Sequence, residues 1–431
     1  MVGLLIATVL GIVLGSYLYL IRVQNITVIR AQTWNAAMAV AESGVEEALS
    51  QLNPGYIGTN INKAANNWTL GGGFYTAPNL PRNISNGYYR VRFTATVNPV
   101  PPVIYSTGFT KVPITGDFIS RAVQVGTIPA RLFPAGVVVV RNADLNGNTI
   151  KIDSFDSADD TKSTGGRYDP AKRQANGDIA TPNGVLDIGN AKIYGKIHTT
   201  PGAGLPVTGP NVSVGDIQWI DVSGNKGIKP GWVINDMNKR IDDVREPYAS
   251  GLPPNGPVTV NGTNYTYGIG TGDYYLSGDL KDPNANNKPA SIIVSAGATA
   301  TIYVTGNVKI DNLVMGADAK LKLFVGTPSG SDVTIDLQRL SNLGRADDLQ
   351  IYGLPSVKDI TLGGNDELTA LLYAPQAGLT VNGGGSKPYD YQGAIVVRDF
   401  TANGQFDFHF DEDLSRNGPI IGFVPVSWKE L

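Results

Sequence analysis

From Met1 to Ile21 no charged side chain occurs, and the run MVGLLIATVLGIVLGSYLYLI is long enough to cross a hydrocarbon core of about 30 Å as a helix. After Arg22 the pattern turns amphipathic. Trp34, Ala37, Ala41, Val45, Ala48 and Leu52 recur at spacings of three and four, one stripe along a helix, while Arg30, Gln32, Glu42, Glu46 and Glu47 around them are polar. No proline interrupts before Asn53-Pro54-Gly55, a stop signal. The pattern predicts one helix over residues 1–53, apolar over 1–21 and amphipathic over 22–53, with a length of about 75–80 Å.

Beyond the helix the period changes to two. Tyr89, Val91, Phe93, Ala95 and Val97 alternate as a strand with one buried face, and further strands are expected at Ile104–Phe109 and Ser120–Ile128. Residues 54–132 thus read as a small antiparallel meander joined directly to the helix, and a generic small β domain after a stalk fits the strands equally well. From Phe133 onward short apolar or alternating runs, such as Thr301-Ile302-Tyr303-Val304 and Lys320-Leu321-Lys322-Leu323-Phe324-Val325, are separated by corners such as Asn146-Gly147, Asn183-Gly184 and Asn403-Gly404. No strict repeat period is present. An irregular right-handed parallel β-helix over 133–431 is the expected architecture, since it stacks short strands around one continuous core; a β-sandwich is the runner-up. Residues 230–255 read as a loop excursion with one short helix near Ile234–Val244. The fold class is therefore mainly β with one long N-terminal α-helix.

Three roles compete for that helix. A plain membrane anchor accounts for the first half but needs no small-residue stripe afterwards. A coiled-coil stalk accounts for the stripe, although Ala-rich contact positions make a weak zipper. In a filament core, many copies pack their apolar halves together and the amphipathic half seats a head, with Gly11 and Gly15 allowing close helix approach. The third is preferred. Its core residues are Leu4, Leu5, Ile6, Val9, Leu10, Ile12, Val13, Leu14, Leu18 and Ile21, and its head-seating residues Trp34, Ala37, Ala41, Val45 and Ala48.

The uncharged opening, the long helix and the segment Ala41-Glu42-Ser43-Gly44-Val45-Glu46-Glu47-Ala48-Leu49 together resemble the amino-terminal region of bacterial type IV pilin-like proteins, the pilus-assembly minor-pilin class in particular. The family's processed chains commonly begin with an N-methylated residue, often aromatic, and carry Glu at the fifth position; Met1 and Leu5 stand in those places here. Arg22 and Arg30 follow the apolar run, whereas the positive-inside rule for an external body asks for charge before it. The resemblance resolves this if the chain is the processed form of a precursor with a basic leader. It implies prepilin peptidase, pilus-assembly machinery and the bacterial inner membrane as partners, then a homo-oligomeric extracellular or cell-surface filament. A second resemblance covers roughly residues 133–418: Gly147–Asp156, Leu371–Pro375 and Phe408–Leu414 are similar to a β-helical domain often found behind pilin-like amino termini. The alternative function is a membrane-anchored β-helical adhesin or carbohydrate-binding surface protein.

Composition narrows the chemistry. The 431-residue chain has no Cys and two His, which removes disulfides, zinc ribbons and thiol nucleophiles and leaves little for a histidine triad. A net charge of −3 without basic runs argues against a nucleic-acid partner. No phosphate loop, dinucleotide fingerprint or nucleophile elbow occurs, so no catalytic residues are assigned and no enzyme is expected. Asp144, Asn146 and Asn148 are the candidate calcium ligands, the one cofactor considered, with Asp153, Asp156, Asp159 and Asp160 nearby; ordinary Asx turns compete with that reading. His409 falls opposite Phe406, Phe408 and Phe410, as a surface imidazole near carboxylates, and Asp411-Glu412-Asp413 reads as a solvated corner.

Overall fold

The computed structural model describes residues 1–53, 66–78, 80–95, 100–147, 149–239, 241–284, 287–364, 367–383 and 388–431. The chain forms two compact units: one holds the long helix, the chain to Ala130 and the tail Ile420–Leu431, the other Arg131–Pro419. The last strand, Ile420–Glu430, returns to the first unit.

In the first unit a single helix, α1, runs from Val2 to Leu52. Its second half lies on an antiparallel sheet of β1 (Thr69–Gly71), β2 (Phe74–Thr76), β3 (Arg82–Ile84), β4 (Gly87–Thr94), β5 (Val103–Lys111) and β6 (Phe118–Arg131). The strand order is β1-β2-β4-β5-β6, then Ile420–Glu430 at the edge, with β3 on β4. The expected strand residue Val97 and the connecting Pro99 lie outside the described residues.

The seat explains the small-residue stripe. Gly108 of β5 faces the helix so closely that a Cβ there would run into the backbone of Ala37 and Ala41. Ser106 Oγ donates to the Ala41 carbonyl at 2.7 Å. Such an approach requires Ala or Gly on the helix side, since a larger side chain would hold the backbones apart. Ala41, Val45, Ala48 and Leu52 then share one core with Trp68, Val91, Phe93, Ile104, Val123 and Val125. Glu47 is clamped beside it by Arg82 (Nε to Oε2, 3.2 Å) and by the Tyr89 hydroxyl at 2.7 Å. Burial and that bond to Glu47 push the Tyr89 phenol up to about 12.

Trp34 does not belong to this seat. The buried positions are Thr33, Ala37, Ala41, Gly44, Val45, Ala48 and Leu52, whereas Trp34 is 47% exposed. The stripe is phased one residue earlier than expected at its start, because a helix tight against a sheet has no room for an indole. The Arg121 guanidinium instead covers the Trp34 ring at 5.1 Å and is held by Glu430 at 2.7 and 2.6 Å.

The second unit is a parallel β-helix-like stack, and all pairings among its described main-sheet strands are parallel. Its winding order differs from chain order. The chain enters at Phe133, and Val137–Val139 is followed outward by Ile179–Thr181, Ile197–Thr199 and Val233–Ile234. New coils then start at Tyr267–Ile269 and wind back through Ala290–Val294, Val308–Met315 and Val333–Ser341. They end at Tyr389–Asn403, where Ile395 pairs with Val137. Entry and exit meet: Leu132 N–H donates to the Pro419 carbonyl at 3.0 Å. The whole stack is thus an insertion between two strands of the head sheet.

Reaching the far end requires a return segment, residues 235–257. The short helix expected near Ile234–Val244 is not formed among its described residues. The chain is instead extended and tied to successive coils: Met237 N–H to Thr199 O (3.0 Å), Tyr373 Oη to Asp242 O (2.6 Å), Tyr248 Oη to Tyr274 O (2.7 Å) and Thr301 O (3.1 Å). Bonds to the stack satisfy backbone groups that a helix would have satisfied internally.

Candidate functional site

The apolar half of α1 has no partner among the described residues. Leu4, Leu5, Ile6, Val9, Leu10, Ile12, Val13, Leu14 and Leu18 are all exposed and Ile21 is half-buried. This helix is long and apolar enough to cross a membrane, and its most apolar stretch has nothing packed on it. Its polar groups suit that environment: Thr8 Oγ1 donates to the Leu4 carbonyl at 2.8 Å, within the helix. Keeping ten such side chains from water is worth on the order of 15–30 kcal/mol. Gly3, Gly11 and Gly15 have open space where a Cβ would be. Among the described residues nothing packs on these glycines.

The apolar surface is not limited to the helix. Along the edge strand Ile420–Glu430, Val424, Val426 and Trp428 alternate and are exposed. Two positions further, Glu430 pairs with Arg121 beneath Trp34, so this alternate set lies on the helix side of the sheet. Nothing in the sequence pattern marked these residues as a surface; only the strand's edge position leaves them uncovered.

Of the candidate calcium ligands, Asp144 is engaged in a turn. Asp144 Oδ1 accepts the Asn146 N–H at 3.1 Å, while Asn148 lies outside the described residues. Asp159 Oδ1 takes Thr161 N–H and Oγ1 at 2.9 and 2.6 Å, and Asp156 Oδ1 takes Ala158 N–H at 3.2 Å. Among the described residues no three acidic or histidine side chains converge as a metal site.

His409 is buried, contrary to the surface position expected of it. Its face assignment holds, with Phe406, Phe408 and Phe410 buried, but the outer face is roofed by the segment after Asp156. Tyr168 from that segment stacks on the imidazole at 3.4 Å between ring centres, and its hydroxyl donates to Asp153 Oδ2 at 2.8 Å. His409 Nδ1 bonds the other Asp153 oxygen, and Lys151 Nζ reaches Oδ2 at 2.7 Å. Burial alone would lower the imidazole, but the bond to Asp153 and the charge of Asp390 raise it above its ordinary value. Tyr168 and Asp153 pin the imidazole in place as a roof, while Asp390 Oδ1, 3.5 Å from Nε2, makes no hydrogen bond among the described residues.

The expected solvated corner is also buried. Asp411 and Asp413 are 2% and 6% exposed; Asp411 Oδ1 accepts Ser157 and Asp413 N–H at 3.0 and 3.1 Å. His198 sits between Asp236 at 2.7 Å and Asp178 at 3.3 Å, which raise it. An open pocket of about 310 Å³ is lined by Arg167, Arg339, Asn342 and Glu367, among others. Its charges are paired, Arg167 with Glu367 and Arg339 with Asp311.

The fold is thus of a definite class: a half-apolar helix carrying a small antiparallel sheet, with a parallel β-helix-like unit inserted into that sheet. A family model described as "Domain of unknown function (DUF7305)" matches residues 216–417, within the inserted unit from just before the return segment to the exit. No curated protein and no solved structure matches the chain.

Proposed function

We propose that this chain is a structural subunit of an extracellular type IV pilin-like filament, assembled through its apolar half-helix with the β-rich units displayed outside. The observation that carries the reading is the division of α1: residues 33–52 are spent on seating the head, while residues 2–20 expose apolar side chains and unoccupied glycine faces. An anchor needs the first property and not the second. Lipid tails are as apolar as Leu, so transfer from membrane to bundle gains nothing from hydrophobicity, and close packing at small residues must supply the preference. The bacterial inner membrane would hold the helix before assembly. Prepilin peptidase and pilus-assembly machinery enter through the family resemblance of residues 1–52. No catalytic role is assigned.

Electron microscopy of sheared surface material tests the reading. Filaments labelled by antibody against the β-helix-like unit are expected. Chains found only as monomers in detergent, each in its own micelle, would instead favour the membrane-anchored adhesin or carbohydrate-binding alternative.

A further inference from the structure

The sheet face turned away from α1 carries an unusual charge pattern. Strand alternation puts Arg90 and Arg92 of β4, Lys111 of β5 and Lys429 of the edge strand on it, and no Asp or Glu among its described residues. None of these four cations has a carboxylate ion-pair partner among the described residues. Aromatic rings hold the guanidinium groups in place: Arg92 lies over Phe74 at 4.4 Å and Tyr105 at 5.6 Å, and Arg90 over Phe109 at 5.9 Å. Phe109 is backed in turn by Tyr88, stacked at 4.6 Å.

The chain's charge is divided between its units. Residues 1–130 and 420–431 hold nine Lys and Arg against five Asp and Glu, leaving 25 against 32 of the chain's 34 and 37 for the inserted unit. A basic body and an acidic body share one polypeptide.

We propose that the outward sheet face of one copy docks on the acidic β-helix-like unit of a second copy. Phe74, Tyr105 and Phe109 have guanidinium groups over their rings, so these three are already engaged. What remains is the N–H edge of each guanidinium, which suits carboxylates in bidentate geometry. Aromatic and Arg enrichment with acidic depletion is also the composition of a protein-interface core. The second copy supplies carboxylates: Asp144 and Asp187 are register neighbours on adjacent parallel strands, and neither has an ion-pair partner among the described residues. Since face and counter-face are different surfaces, each docked copy offers both again. Such a heterologous contact extends into an open filament wherever its rotation does not close a ring, as a filament requires. The inference takes its setting from the filament reading but uses none of the apolar helix residues.

The test uses the full chain in detergent, where micelles cover the helix. Sedimentation at low salt should show association that is lost at high salt, because exposed ion pairs are screened. Arg90→Glu with Arg92→Glu should weaken it about tenfold or more without changing the melting profile. Adding Asp144→Lys and Asp187→Lys to that variant should restore it, a rescue that a misfolded variant cannot give. Because the chain lacks cysteine, Thr107→Cys in one copy and Asp187→Cys in another should cross-link only on mixing. Absence of salt-sensitive association, or failure of the reversed pair to rescue, overturns the docking. Salt-sensitive binding to polygalacturonate without self-association overturns it in favour of an anionic polysaccharide. Native filaments whose yield ignores Arg90→Glu/Arg92→Glu would sink the docking alone; a lack of filaments with intact salt-sensitive association would sink the filament reading alone.

Discussion

Replacing Gly11 and Gly15 by Leu separates assembly from anchorage. Among the described residues nothing lies within 4 Å of the Cβ position at either site, so the substitutions meet no steric cost there. Helix propensity favours them by about 0.8–1 kcal/mol per site, and two more leucines strengthen membrane residence. In a bundle whose helices approach at the glycines, each added side chain must be accommodated at a cost of about 1–3 kcal/mol. Two sites on every subunit then disfavour assembly by about 2–6 kcal/mol, or 30-fold and upward at 1.4 kcal/mol per tenfold. The assay is filament yield in sheared surface fractions beside the membrane-bound pool, with circular dichroism of the purified chain as the folding control. The expected result is a full membrane pool and few or no filaments. Filaments at ordinary yield from the double variant would refute close packing at the glycines as the source of assembly preference. A charged substitution such as Leu10→Asp could not distinguish these roles, since it also harms membrane insertion.

Gly108→Val should destabilise the head by about 1–3 kcal/mol, because its side chain would displace α1 at Ala37 and Ala41; thermal melts should show the head transition lowered and that of the inserted unit unmoved. Trp34→Ala should cost the head less than Ala41→Leu, in line with their exposures, and the reverse order in melting temperature would contradict the assigned seat. His409 has a folded value raised above 6.5, so its contribution to stability is fully present below that unfolded value and lost as pH rises through the folded one. His409→Gln should therefore reduce the alkaline decline of the inserted unit's melting temperature, leaving a remainder from His198, which is raised as well. Calcium added to chelator-stripped protein should give no binding heat attributable to Asp144, whose oxygen is taken by the Asn146 N–H; equal heats from wild type and Asp144→Ala are expected, and a heat lost only in the variant would contradict the turn assignment.

Local chemistry made α1, the head strands and the short parallel strands legible, because a 3.6-residue stripe, a two-residue alternation and Gly/Asn corners are carried by neighbours in sequence. Even the oddity of the stripe, rich in Ala where a coiled coil would use Leu, was visible as text. Its cause, a sheet backbone at Gly108 too near for larger residues, was not. Trp34 lies outside the buried row, which starts at Thr33, yet its ring packs on the head through Arg121; 33 and 34 both fit the helical period, and the period alone does not choose between them.

What the sequence could determine by itself is therefore each element's type and which of its faces seeks cover. Tertiary structure alone decided what provides the cover. Ile395 pairs with Val137 across more than half the chain, placing the last coil beside the first, and the alternation of each strand is equally satisfied by any apolar neighbour. Likewise His409 alternates as an outward residue, yet it is buried because Tyr168 comes over it from a distant segment, with Asp153 beside it on the neighbouring strand. Periodicity specifies that a surface must be buried; long-range pairing, with its large loop-closure entropy and no local signature, specifies against what.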